Sequence, residues 1–122
     1  MTLETLRDCC LTKPGCTESF PFGETTLVFK VGGKMFALTD IESRPLQVAL
    51  KCDPERAVAL RDQYEAVQPG FHLNKTHWNT VTINGTIRQQ DLTDWIDGSY
   101  QLVLKSLPKR LQAEIENVVV SL

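Results

Sequence analysis

Two adjacent glycines, Gly32 and Gly33, constrain the fold more than any other feature of the chain, because a short strand pattern lies on each side of them. The patterns cover residues 25–31 and 34–39, and the freedom of glycine to adopt positive φ suits a two-residue hairpin turn. The turn predicts three cross-strand pairs: Val31 with Lys34, Phe29 with Phe36, and Leu27 with Leu38. We therefore expect an antiparallel hairpin with one apolar face that belongs to the core.

The remaining strand patterns follow at short intervals. Residues 46–51 and 80–83 alternate apolar and polar side chains, as half-buried strands do, and Phe71 and Leu73 indicate a further short strand. Such spacing leaves no room for the long crossovers that parallel strands need. The sequence therefore predicts an α+β fold in which a five-stranded antiparallel sheet is covered by helices, in the order α-β-β-β-α-β-β-α-α.

Four helix starts are marked by a capping residue or a proline: Thr2, Asp53 with Pro54, Thr86 with Gln89 as a capping box, and Pro108. The third helix contains Gly98. Because glycine inside a helix costs about 1 kcal/mol relative to alanine, we expect a close contact at that position.

Length and charge limit the classes of protein that fit. The 122 residues predict a single domain over residues 1–122. Thirteen basic and fifteen acidic side chains give a formal charge of -2, so no whole-molecule field attracts nucleic acid or anionic lipid. No N-terminal signal pattern is visible, and no apolar run approaches the roughly 18 residues that span a bilayer. We expect a cytoplasmic protein with no membrane partner.

Polar groups concentrate in residues 72–81, a segment that contains both histidines and Trp78. No acid occurs between Ala66 and Gln90, so the segment is locally cationic. His72 and His77 could bind metal, but no third ligand is near in sequence, and imidazoles that form hydrogen bonds are the favoured interpretation. Trp78 could stack on a nucleic-acid base or pack against the sheet, and its alternation with Val81 favours packing on the face opposite the predicted core.

No residue set specifies a reaction. Cys16 or Cys52 could be a thiol nucleophile, but neither lies in a local thiol-hydrolase motif, and the vicinal Cys9 and Cys10 suit reduced thiols better than a disulfide framework. No phosphate-binding loop is present, and no carboxylate pair has a spacing typical of acid–base catalysis. We expect a protein that is not an enzyme and holds no metal or cofactor.

Several segments together resemble the MmcQ/YjbR family of small bacterial proteins. They are Lys13-Pro14-Gly15 with Phe20-Pro21-Phe22-Gly23, Leu50-Lys51 before Pro54-Glu55, His72-Leu73-Asn74-Lys75 with His77-Trp78 and Thr80-Val81, and Leu107-Pro108. The spacing in the histidine segment is specific. The resemblance implies a CyaY-like, secretion-chaperone-like fold of order α-β(3)-α-β(2)-α, and DNA binding through a double-wing arrangement.

The candidate binding residues are His72, Asn74, Lys75, His77, Trp78 and Lys51. The first five are positions shared with the family, and Lys51 is a neighbouring cation. Our first hypothesis is a modest, electrostatic affinity for DNA. The alternative is a protein-interaction adaptor that uses an exposed face or edge of the sheet, for which the near-neutral charge is no obstacle. The sequence leaves the oligomeric state open.

Overall fold

The computed structural model describes residues 1–70 and 73–120, with side chains described through residue 117. Its elements, in chain order, are α1 (Leu3–Leu11), β1 (Cys16–Ser19), β2 (Thr26–Val31), β3 (Lys34–Asp40), β4 (Leu46–Lys51), α2 (Pro54–Gln63), β5 (Val67–Pro69), β6 (Trp78–Ile83), α3 (Gln89–Ser106) and α4 (Lys109–Val120). The strands form one antiparallel sheet in the order β1-β2-β3-β4-β6-β5. The predicted α+β class and antiparallel sheet are confirmed.

The described part of the chain has six strands, so the predicted number of five was wrong. The additional strand is β1, whose four residues pair with β2 but are too few to show a distinct alternation in the sequence. β5 occupies Val67–Pro69, where a turn was expected. Of the strand predicted at Phe71 and Leu73, Leu73 lies in a bend, and Phe71 falls outside the described residues.

The hairpin around Gly32 and Gly33 forms as predicted, but its register is correct only next to the turn. Val31 pairs with Lys34, whereas Phe29 pairs with Ala37 and Leu27 with Thr39. The register shifts between Phe29 and Lys30, which leaves Phe36 as an extra residue on β3. Such a bulge moves all later side chains to the other face, so Leu38 lies opposite Val28, away from the core.

The helices cover one face of the sheet. Apolar side chains of the strands and of α1, α3 and α4 form one core, which includes Leu6, Cys10, Leu27, Phe29, Phe36, Val48, Leu50, Val81, Ile96, Tyr100, Val103 and Ile115. The ring of Tyr100 meets Phe36 edge-on with 5.4 Å between centroids, and its hydroxyl donates a hydrogen bond to the carbonyl of Pro14. α2 packs against the same core through Leu60.

The predicted helix starts hold at three of four places. The side chain of Thr2 caps α1, Asp53 accepts the Arg56 N–H at the start of α2, and α4 begins directly after Pro108. α3 has no side-chain cap: its N-cap residue is Arg88, and Thr86 instead bonds the side chain of Asn84 at 2.7 Å. The predicted capping box was therefore wrong.

Neighbouring residues of α3 have opposite roles. The buried Ser99 hydroxyl donates to the carbonyl of Phe36 at 2.6 Å and accepts the N–H of Lys51 at 2.8 Å. These backbone groups lie just beyond the last β3–β4 pair, so Ser99 supplies the partner that the ladder no longer provides. Gly98 makes no close contact, because an added Cβ would meet no atom of the described residues within 4 Å. The contact predicted there was wrong.

Candidate functional site

The loop before β6 is organised by Asn74. Its side-chain oxygen accepts the N–H of Thr76 at 2.9 Å, and its carbonyl accepts the N–H of His77 at 3.2 Å and of Trp78 at 3.0 Å. Asn74 therefore shapes the turn with the groups that were candidates for ligand contact. His72, another candidate, lies outside the described residues.

Trp78 is buried, with 8% of its surface exposed. It pairs with Lys51 at the end of the β4–β6 ladder, and its carbonyl accepts the N–H of Gly70 at 2.9 Å. The two backbones are so close that a Cβ on Gly70 would lie 2.8 Å from the Cβ of Trp78. The packing interpretation of Trp78 is confirmed, and a buried indole offers no platform for a base.

The remaining predicted cations converge at one end of the sheet. The carbonyl of His77 accepts the N–H of Cys52, directly after Lys51, at 2.8 Å. Lys75 and His77 are exposed, and Lys51 is half-buried. Lys75 is held at the loop base, since its Nζ donates to the carbonyl of Gly70 at 3.3 Å.

The structure adds two arginines that the sequence analysis missed. Arg61 of α2 donates to the carbonyl of Lys75 at 2.9 Å and to Oδ1 of Asn79 at 3.3 Å, which joins the helix to the loop. Arg56 lies five residues nearer the start of α2, is exposed, and lines a cleft together with Lys51 and Cys52. Both were overlooked because they lie among acids in sequence. We call this surface the cationic corner: Lys51, Arg56, Arg61, Lys75 and His77.

Acidic side chains lie near the cationic corner, but within the described part of the chain none of them forms an ion pair with a side chain of the corner. Asp53, Glu55 and Asp62 lie on or next to α2 and are exposed. Within residues 1–70 and 73–117, the ion pairs all lie elsewhere: Arg7–Glu18, Lys13–Asp97, Arg88–Asp91 and Arg110–Glu114. The corner therefore combines unpaired cations with a weak net field, which suits modest affinity for an anion.

The cysteines are free thiols held in their neutral form. Burial raises the pKa of Cys10 far above its ordinary value and that of Cys16 to about 11. Burial also raises the pKa of Cys52, although Arg56 acts in the opposite direction. Thiols with raised pKa values are poor nucleophiles at neutral pH. No group of three or more His, Cys, Asp or Glu within the described residues could hold a metal ion, and no helix there is long and apolar enough to cross a membrane.

Comparison with known proteins decides the family. The YjbR family model matches residues 11–102, which is most of the chain. The chain belongs to the YjbR family. The resemblance carried by the histidine segment and the proline–glycine motifs is thereby confirmed.

Two proteins of Escherichia coli are similar to this chain over nearly its whole length. The chain is 37% identical to uncharacterized protein YjbR of Escherichia coli K12 over 89% of its own length and 92% of that protein. It is 35% identical to uncharacterized protein YbdF of E. coli O157:H7, with 92% of each chain covered. These relatives support the family of the chain, and their names give no activity.

Solved structures agree with the architecture. A Deinococcus radiodurans protein, DR2400, with the DUF419 domain, superimposes with a TM-score of 0.90 at 45% identity, covering 94% of this chain and 88% of that one. A Pseudomonas syringae protein superimposes with a TM-score of 0.73 at 26% identity, covering 84% of this chain and 99% of that one. The fold described above is therefore that of these neighbours.

Proposed function

We propose that this YjbR-family protein is a cytoplasmic, non-enzymatic binding protein that contacts DNA weakly through phosphate groups. The observation that supports the proposal is the convergence of five side chains at the cationic corner. Hydrogen bonds join Arg61 to Lys75 and Cys52 to His77, and Arg56 lines a cleft together with Lys51 and Cys52. Lysine and arginine side chains are the usual partners of phosphate oxygens.

The same geometry limits the mode of binding. Trp78 is buried and Asn74 is engaged in its own turn, so neither is free to contact a base. Phosphate contacts carry no direct sequence information. Binding is therefore sequence-independent. Because only a few phosphates are contacted and few counterions are released, its affinity depends only shallowly on salt concentration.

Fluorescence anisotropy with a short labelled duplex at low salt tests this function. We expect Arg56→Gln and Lys75→Gln each to weaken binding by about threefold to tenfold, while Arg44→Gln leaves it unchanged. Arg44 is the matched control, since it is an exposed arginine that precedes β4, whereas Lys51 ends that strand. Equal affinities of all three variants, or no wild-type binding at low salt, would overturn the proposal.

A second candidate function rests on the face of the sheet that the helices leave uncovered. On this outer face Leu38, Ala49 and Thr80 line a groove of about 500 Å³, and the neighbouring Val28 is buried. Phe22, which is 65% exposed, and Leu73 also line it. A groove with an apolar floor and an exposed aromatic rim suits the apolar side chains of an extended segment of a protein partner.

The edges of the sheet suit a partner less well than this face. β1 has four residues and β5 has three, one of them Pro69, which has no N–H to donate. Short edges that contain proline resist the addition of a strand. A protein partner would therefore use the outer face rather than an edge.

Peptides selected from a random display library test the adaptor function. We expect the selected peptides to be apolar and to bind in an extended conformation. Their binding should be lost in Leu38→Lys and kept in the control Val58→Lys, which places the same charge at an exposed apolar position of α2. If the library yields no binding peptide, or if Val58→Lys weakens binding as much as Leu38→Lys, the outer face is not a site for a protein partner.

A further inference from the structure

A cleft of about 260 Å³ lies between α2 and α3. Its lining is mainly apolar and includes Leu50, Leu60, Val81, Trp95 and Leu102, with Arg56 at the rim. A cavity of about 150 Å³ holds benzene in a protein interior. The cleft is therefore large enough for one aromatic ring with a short polar tail.

Gly98 lies in the α3 wall of this cleft. Its backbone does not have the positive φ that requires glycine, and a Cβ added there would meet no described atom within 4 Å. Neither backbone geometry nor close packing therefore explains a residue that weakens the helix. What glycine does achieve is open space in the wall, where a larger side chain would enter the cleft.

The rim provides a free cation. The guanidinium of Arg56 has no hydrogen bond or ion pair with any described residue, although two carboxylates also line the cleft. Asp53 accepts the backbone N–H of Arg56 at 3.4 Å, and Asp94 accepts a hydrogen bond from Gln90 at 2.9 Å. A ligand carboxylate could accept two parallel hydrogen bonds from the guanidinium of Arg56, in a bidentate ion pair. The two acids nearby disfavour a ligand with more than one negative charge.

We propose that the cleft between α2 and α3 binds a small apolar monocarboxylate. Its apolar body lies between Leu60 and the side chains of Trp95 and Leu102, and its carboxylate pairs with Arg56. The site shares Arg56 with the cationic corner, but its apolar contacts are with the cleft walls. Binding of a small ligand is therefore measured without DNA, and its failure would leave the DNA proposal standing.

Titration of the ¹⁵N-labelled protein with 3-phenylpropionate, followed by amide NMR, tests the proposal. The matched neutral probe is 3-phenylpropan-1-ol. We expect 3-phenylpropionate to shift the backbone amide signals of Cys52 and Gly98 and the indole N–H signal of Trp95. It should bind about tenfold more tightly than the alcohol. The Arg56→Gln variant should bind both probes with the weaker affinity of the alcohol.

Filling the cleft separates binding from folding. Gly98→Leu replaces a poor helix former with a good one, so this variant stays folded while both probes lose at least about tenfold in affinity. Lys105→Leu adds the same side chain at an exposed position of α3 outside the cleft and should bind like wild type. Absence of shifts in wild type at millimolar probe, or the same shifts in Gly98→Leu, would overturn the site.

Discussion

The hydroxyl of Ser99 satisfies two backbone groups at once, where the β3–β4 ladder stops. Ser99→Ala leaves a buried carbonyl and a part-buried N–H without this partner, so we expect the free energy of unfolding to fall by about 1–3 kcal/mol. Urea denaturation measures it. Ser106→Ala is the control: that hydroxyl only donates to the carbonyl of Val103 within its own helix, and its loss should cost less than about 0.5 kcal/mol. Equal costs would mean that Ser99 does not close the ladder.

The thiol of Cys16 makes stability depend on pH above the neutral range. Burial raises its pKa from 9.0 to about 11 in the folded chain. Between these values the folded state keeps a proton that the unfolded state has lost, so the free energy of unfolding falls as pH rises. We expect wild type to lose more stability than Cys16→Ala between about pH 8 and about pH 10.5, measured by urea denaturation. A parallel decline in the two proteins would show that Cys16 is not the group responsible.

At the scale of the element, two glycines should respond in opposite directions to the same substitution. Gly98→Ala adds a helix-favouring side chain to α3 in open space, so we expect stabilisation by about 1 kcal/mol. Gly32→Ala puts a Cβ at a φ of +58° and 2.5 Å from a methyl of Leu107, so it should destabilise the hairpin by more than about 1 kcal/mol. Thermal unfolding of both variants tests the pair. A loss of stability in Gly98→Ala would reveal a contact at that wall of α3.

Elements with a strong local cause could be predicted from the sequence. Asp53 and Pro54 start α2 because a capping carboxylate and a fixed φ act within a few residues. The bulge at Phe36 has no such local signal in the sequence, and the partner of the Phe36 carbonyl is the hydroxyl of Ser99, 63 residues away. The first pair next to the turn was therefore right and the later pairs were displaced by one residue.

In the candidate site, too, some residues could be predicted from a local sequence signal and others could not. Lys75 and His77 could be chosen from an acid-free stretch of sequence, whereas Arg56 and Arg61 could not, because α2 places them at the site from a segment rich in acids. Trp78 and Asn74 were candidate binding residues, and the packing favoured for Trp78 was right. The close approach of Gly70 to Trp78 and the turn bonds of Asn74 give both residues structural roles. Residues that meet only through tertiary contacts leave no pattern along the chain.

At the scale of the whole molecule, the field of the net charge of -2 and the field of the cationic corner differ in the distance from which DNA senses them. At about 0.1 M salt the screening length is about 10 Å, so a polyanion at the cationic corner senses the corner and little beyond it. Three to five phosphate contacts would give a slope of log affinity against log salt of about -2.7 to -4.5. Anisotropy titrations across a salt series measure the slope, and a flat series would exclude phosphate contacts as the source of binding.

The location of a charge should therefore matter more than the total. Glu55→Gln and Glu42→Gln each raise the net charge by one, but Glu55 adjoins Arg56, whereas Glu42 lies in the loop before Leu46. β4 spans about 17 Å from Leu46 to Lys51 at roughly 3.4 Å per residue. Removing a carboxylate next to the corner should tighten DNA binding about twofold at low salt, and the remote change should leave it unaltered. Anisotropy with the same duplex measures both. If DNA affinity rises equally in the two variants, DNA responds to the net charge of the protein, and the cationic corner is not the binding surface.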